Sequence, residues 1–135
     1  MLNRLFAVSI LMADDMARGL AARGLTRARA TALWEIARHG PLNQRQLADR
    51  LQVTPRNVTT LVDALEQSGF VVRTAHADDR RALLVKPTRK GSAAARRMDA
   101  ESDRLAEDLF GDLPAADVAT VDRVLAQLEQ RLSTS

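Results

Sequence analysis

The chain contains no cysteine, so it can form no disulfide, carry no thiol redox sensor and hold no cysteine-ligated metal. Its two histidines, His39 and His76, are far apart and share no ligand spacing, which argues against zinc and predicts no metal site. Aromatic residues make up only 3%, with one Trp, three Phe and no Tyr, so any core must be built from Leu, Val, Ile, Ala and Met. No apolar run is long enough to cross a bilayer. The longest, Leu5 to Ala13, is followed at once by Asp14-Asp15, shows no small-residue cleavage site, and continues its helical spacing to Met16 and Leu20. It reads as a helix of a soluble cytoplasmic protein rather than an export signal. There is no histidine–nucleophile pairing, no glycine-rich phosphate loop and no carboxylate pair in a recognisable site, so no catalytic residues and no cofactor are expected.

What is present is an uneven charge distribution. The net charge of the 135 residues is +3, but Leu25 to Gly91 hold twelve Lys/Arg against six Asp/Glu, a local net of +6. The flanks together carry −3. A basic middle between acidic ends is the electrostatic footprint of a nucleic-acid-binding lobe carried on separate assembly helices.

Capping and breaking residues divide the chain. Apolar positions Leu2, Leu5, Phe6, Ile10, Ala13, Met16 and Leu20 predict a first helix, ended by Arg23-Gly24. Thr26 caps a second helix with Ala30, Leu33, Ile36 and Ala37 inward and Trp34 packed beside them, stopped by Gly40-Pro41. Asn43 and Gln46 form a capping box for a short helix burying Leu47, Ala48 and Leu51. Gln52-Val53-Thr54 makes a turn with Val53 inward. Thr54 then caps, and Pro55 starts, a further helix that ends at Ser68-Gly69. Two strand-like runs follow, Phe70 to Ala75 and Ala82 to Lys86, around the charged tip Ala77-Asp78-Asp79-Arg80-Arg81, and Pro87 should end the second strand early. Thr88 caps the next helix, whose apolar side is Ala94, Met98, Leu105 and Leu109. After Gly111-Asp112, Pro114 opens a last helix with Val118, Val121, Leu125, Leu128 and Leu132 in heptad-like spacing.

The expected fold is therefore mainly α with a small β-hairpin wing. It comprises an N-terminal dimerisation helix (1–23), a winged helix-turn-helix DNA-binding lobe (24–90) and C-terminal dimerisation helices (91–135). On a helical wheel, Leu61, Val62 and Leu65 lie within about 60° of Val58, while Arg56, Thr60, Asp63 and Gln67 lie between about 140° and 200°. The outer face thus offers Arg56, Asn57, Thr59 and Thr60, with Thr54 at the cap, to double-stranded DNA. Arginine suits a bidentate pair with guanine, and the other side chains can donate or accept at base edges. Asp63 does not suit a phosphate-facing surface and is expected to be neutralised by an arginine of the wing. At the tip, Arg80 suits phosphate and Arg81 a narrow minor groove, with Asp79 bracing them. Apolar stripes at both ends would be exposed in a monomer, which predicts a homodimer.

In Gly24-Leu25-Thr26, Ala37-Arg38-His39-Gly40-Pro41-Leu42, Leu47-Ala48-Asp49-Arg50-Leu51, Val58 to Glu66, Gly69-Phe70-Val71-Val72-Arg73, Asp78 to Val85 and Thr88-Arg89-Lys90-Gly91, the chain resembles the MarR family of winged-helix transcriptional regulators. The resemblance covers about half the chain, and its Asp-x-Arg wing is the most specific part. It implies a homodimer on a pseudo-palindromic operator, acting as a repressor, with Arg81 as minor-groove contact and Asp79 as its support. It also implies a small-molecule effector held in a cleft between lobe and dimer helices. The thiol-oxidation branch of that family is excluded by the absence of cysteine. The competing expectation is a winged-helix protein adaptor that no longer reads DNA. Such a protein should lack the wing arginine and the polar outer face.

Overall fold

The computed structural model describes residues 1–75 and 83–134. Over these the chain forms α1 (Leu2–Ala21), α2 (Arg27–His39), β1 (Leu42–Asn43), α3 (Gln44–Leu51), α4 (Pro55–Gln67), β2 (Val71–Ala75), β3 (Leu83–Pro87), α5 (Arg89–Phe110) and α6 (Ala115–Ser133). The architecture is mainly helical with one small antiparallel sheet, as the patterning predicts. Two compact units divide it, Met1–Arg97 and Met98–Ser135.

In the first unit each helix after α1 starts where the sequence supplies a cap. The Thr26 hydroxyl accepts from the Arg29 amide at 3.2 Å. Asn43 and Gln46 close a complete capping box, with Gln46 N–H on Asn43 Oδ1 at 2.7 Å and Asn43 N–H on Gln46 Oε1 at 2.9 Å. Thr54 accepts from the Asn57 amide at 3.2 Å, with Pro55 in the first helical position. The turn between α3 and α4 places Gln52 in the left-handed region at φ 55° and sends the Val53 amide back to the Ala48 carbonyl at 3.2 Å. At the end of α4, Gly69 has φ 81°, a conformation that favours glycine. Gly69 N–H then reaches the Glu66 carbonyl (3.0 Å) and Phe70 N–H the Leu65 carbonyl (2.9 Å), a Schellman ending that turns the chain into β2.

These geometries converge on one apolar centre. Leu33, Ile36, Leu47, Val58, Val62, Leu65, Val71 and Val85 are completely or almost completely buried, drawn from α2, α3, α4 and both long strands. Each such side chain contributes about 1.5–3 kcal/mol relative to exposure. Leu51 and Ala37, expected in this core, are only half-buried, because they lie at its margin.

The sheet departs from the expected hairpin in two ways. It has three strands in the order β1-β3-β2, all antiparallel, because Leu42 and Asn43 pair with Val85 and Leu84. Burial of Leu42 fixes this short third strand. Further, β3 does not stop before Pro87: that residue pairs with Val71. The Thr88 amide bonds the Phe70 carbonyl at 3.0 Å, so the alternation of an antiparallel ladder turns the Pro87 nitrogen away from β2. On that other side β1 has already ended, and the missing N–H costs no ladder bond.

Thr88 joins the sheet to α5. Its hydroxyl donates to the Gly69 carbonyl at 2.6 Å and accepts from the Gly91 amide at 3.1 Å. The start of α5 is seated on the lobe through Gly91, Ala94 and Ala95, all buried. In contrast, α1 buries only Leu20, and leaves Phe6, Ile10 and Leu11 more than half exposed. In the second unit, the end of α5 and α6 form a helical hairpin whose groove is lined by Phe110, Leu113 and Val118 together with Asp103, Glu107 and Asp122. No α6 residue among those described is buried, and Val121, Leu125 and Leu132 stand open. Among the described residues, no helix is long and apolar enough to cross a membrane.

Candidate nucleic-acid interface

The exposed side of α4 is positioned from behind. Val58, Val62 and Leu65 clamp its inner face with no measurable exposure. The opposite side is then fixed outward, and Thr54, Arg56, Asn57, Thr59 and Thr60 are all exposed. The helix N-terminus on the same side adds the positive end of the backbone dipole.

Hydrogen bonding sorts these groups more finely than the sequence allows. The Thr54 hydroxyl is committed to capping Asn57. Thr59 Oγ1 donates to the Pro55 carbonyl at 3.1 Å, and Thr60 Oγ1 donates to the Arg56 carbonyl at 3.3 Å. Such back-bonding to the preceding turn is common for threonine in helices. Both hydroxyl protons are therefore spent inside α4. Of the donate-or-accept roles expected of Thr59 and Thr60, acceptor and methyl contacts remain in this conformation, and the side-chain donors of this half of the face are Arg56, Asn57 and the Thr54 hydroxyl, which caps α4 as an acceptor and keeps its proton.

Asp63 is neutralised as expected, by an arginine of the first wing strand. Arg73 Nη2 lies 2.6 Å from Asp63 Oδ1, and Nη1 lies 2.7 Å from Glu66 Oε1. Its backbone N–H also donates to Glu66 Oε2 at 3.1 Å, and its Nε donates to Gln44 Oε1 at 3.1 Å. One guanidinium thereby ties β2 to α4 and to the first residue of α3. With the two carboxylates held, the outer face of α4 carries no unpaired acid between Arg56 and Gln67. Arg73 and Gln44 had no assigned role in the sequence reading. The available signal was the spacing of Asp63 and Glu66, three apart on one helix face, opposite a lone basic residue in an otherwise uncharged strand. Replacing Arg73 with Ala is expected to lower stability by about 1–2 kcal/mol, since Asp63 and Glu66 are half exposed and partly screened. Asp63→Ala should cost less, because Glu66 and Gln44 still hold the arginine. Urea unfolding measures both, and an unchanged midpoint for Arg73→Ala would contradict the tie.

A second charged link sits behind this face. Glu35 Oε2 of α2 stands 3.6 Å from Arg50 Nη1 of α3 and 3.7 Å from His39 Nε2. Arg38 lies over the ring of Trp34 at 5.1 Å, and that residue is half-buried. The tip residues Asp79, Arg80 and Arg81 lie outside the described residues. Among the described residues, no group of His, Cys, Asp or Glu could hold a metal ion.

A capped three-residue turn between α3 and α4, followed by an antiparallel hairpin and backed by α2, defines a winged helix-turn-helix. Residues 25–83 match the model of the MarR family. The chain is 30% identical over 95 residues to YwhA of Bacillus subtilis (strain 168), an HTH-type transcriptional regulator, covering 70% of this chain and 68% of that one. It is 32% identical over 77 residues to the transcriptional repressor MdtR of the same organism, covering 57% of this chain but only 50% of MdtR. The chain belongs to the MarR family. Among solved structures it is similar to YusO from Bacillus subtilis, with a TM-score of 0.79 and 25% identity over 96% of this chain and 92% of that one. It also shares its fold with FabT of Streptococcus pneumoniae, solved in complex with DNA, with a TM-score of 0.83 and 22% identity over 98% and 93% of the two chains.

Proposed function

We propose that this protein is a sequence-specific double-stranded DNA-binding regulator that acts as a homodimer on a pseudo-palindromic site. The observation that carries the reading is the outer face of α4. It presents Arg56, Asn57, Thr59 and Thr60 on a rigidly backed helix, with its only acid on the outward centre, Asp63, already paired to Arg73. A protein adaptor has no need of a face so cleared of negative charge. The fold shared with FabT in its DNA complex supports the same reading. Repression is the corresponding mode of action, the one by which the relatives MdtR and YetL are named. On this reading Arg56 takes a guanine edge, Asn57 an adenine or a phosphate, and the wing arginines Arg80 and Arg81 the backbone and minor groove.

The homodimer rests on the apolar side chains of α1 and α6, which are exposed in the single chain. Surfaces of this kind are covered in stable soluble proteins, and two-fold pairing would present two α4 helices about one DNA turn apart.

The test is Arg56→Ala. Binding to the preferred duplex should weaken by about 1–3 kcal/mol, with relaxed preference at one guanine position in each half-site. Fluorescence titration against a panel of single-base variants measures this. A loss of equal size on every sequence would instead make Arg56 a phosphate contact and remove it from base reading.

A further inference from the structure

The contacts behind Thr59 fix what that residue can present to a base. Arg73 Nε donates to Gln44 Oε1 at 3.1 Å, which settles the orientation of the Gln44 amide, since only its oxygen can accept there. The amide nitrogen therefore faces Thr59, and Gln44 Nε2 donates to Thr59 Oγ1 at 3.0 Å. Thr59 must accept that bond, so its single proton goes to the Pro55 carbonyl. Its hydroxyl is drawn back along α4 on one side and across to α3 on the other. With its hydroxyl engaged on both sides, the methyl is the group that this exposed residue has free to offer a base. Thr60 differs: nothing donates to its oxygen among the hydrogen bonds of this face, so it keeps acceptor capacity.

Resting on the DNA-binding reading above, we infer that Thr59 is a methyl reader for thymine, recognising the C5-methyl group by apolar contact, and that Gln44, anchored by Arg73, is the positioning residue that holds it so. The thymine methyl is the one apolar mark in the major groove, and a threonine methyl is among the groups that fit it. The inference makes Thr59 specify a base without any hydrogen bond to it. It also couples base preference to a residue of α3 that need not touch a base.

The experiment uses the full chain and a duplex that it selects from a random pool. That duplex should hold a constant thymine in each half-site, and replacing it with deoxyuridine should weaken binding about four-fold, the worth of one buried methyl. Thr59→Val, which loses the hydroxyl but keeps a methyl held by the single χ1 rotamer that valine strongly prefers in a helix, where threonine divides between two and needs Gln44 to select one, should retain the thymine-over-uracil preference. Thr59→Ser, which keeps the hydroxyl and loses the methyl, should abolish it. Gln44→Ala should narrow the thymine-to-uracil ratio, whereas a merely structural glutamine would lower affinity for both duplexes equally. Retention of the preference by Thr59→Ser, or indifference of the parent to uracil at every thymine, overturns the inference while leaving DNA binding in place. A chain that selects no duplex at all overturns both.

Discussion

Gly91→Ala is expected to destabilise the winged lobe by about 3 kcal/mol, although alanine is the better helix former. In an open helix the same change would gain about 1 kcal/mol. Here α5 starts against the Schellman turn, and a Cβ on Gly91 would run into the carbonyl oxygen of Phe70. The carbonyl carbon would lie at 2.9 Å and Leu33 Cδ1 at 3.3 Å. That carbonyl cannot swing aside without loss, because it accepts the Thr88 amide at 3.0 Å. The neighbouring Gly69 carbonyl is held by the Thr88 hydroxyl, and Lys90 bonds the Ser68 carbonyl at 2.7 Å while lying over the Phe70 ring at 4.5 Å. The strain can be relieved only by lifting α5 from the lobe, which uncovers Phe70 and Ala94. Thermal or urea unfolding measures the change, with Ser92→Ala as the control that alters propensity without the close approach. An unchanged or raised midpoint for Gly91→Ala would contradict the packing described.

The second large effect is on binding. If α4 and the wing engage a duplex through arginines and lysines of the basic middle, affinity must fall steeply with salt, because each neutralised phosphate releases counterions. A dimer making about 6–10 phosphate contacts should lose about 10³- to 10⁵-fold between roughly 50 and 200 mM salt. The slope of log K against log salt should become shallower by about one unit per phosphate-contacting arginine removed in each bound site. Arg80→Ala should show that change, whereas Arg56→Ala should leave the slope nearly unaltered. A protein adaptor would show no sequence-selective binding at any salt concentration.

Much of this structure was legible in the sequence because it is set by local chemistry. Thr26, the Asn43–Gln46 pair, Thr54-Pro55 and Thr88 each announce a helix start, and each makes the expected bond to a backbone amide. The inward face of α4 followed from helical period alone. What escaped depends on partners distant in the chain. Leu42-Asn43 is too short to show a strand period, and it becomes a strand only because Leu84 and Val85 arrive beside it. Pro87 sits inside β3 despite the rule against proline in sheets, because its nitrogen faces the side that β1 does not reach. Arg73 meets Gln44 across 29 residues, a contact that no local spacing announces. Composition says only that the threonine hydroxyls of α4 can donate or accept, whereas rotamer and neighbours decide where each proton goes.

Whether α4 reads base edges from a two-fold assembly is decided by selecting duplexes from a random pool with the purified chain. The pool should be enriched in an inverted repeat with half-site centres about 10 base pairs apart, carrying a constant guanine in each half that is lost from the pool selected by Arg56→Ala. Enrichment of no sequence, or of a site unchanged by Arg56→Ala and without symmetry, would contradict base reading from such an assembly.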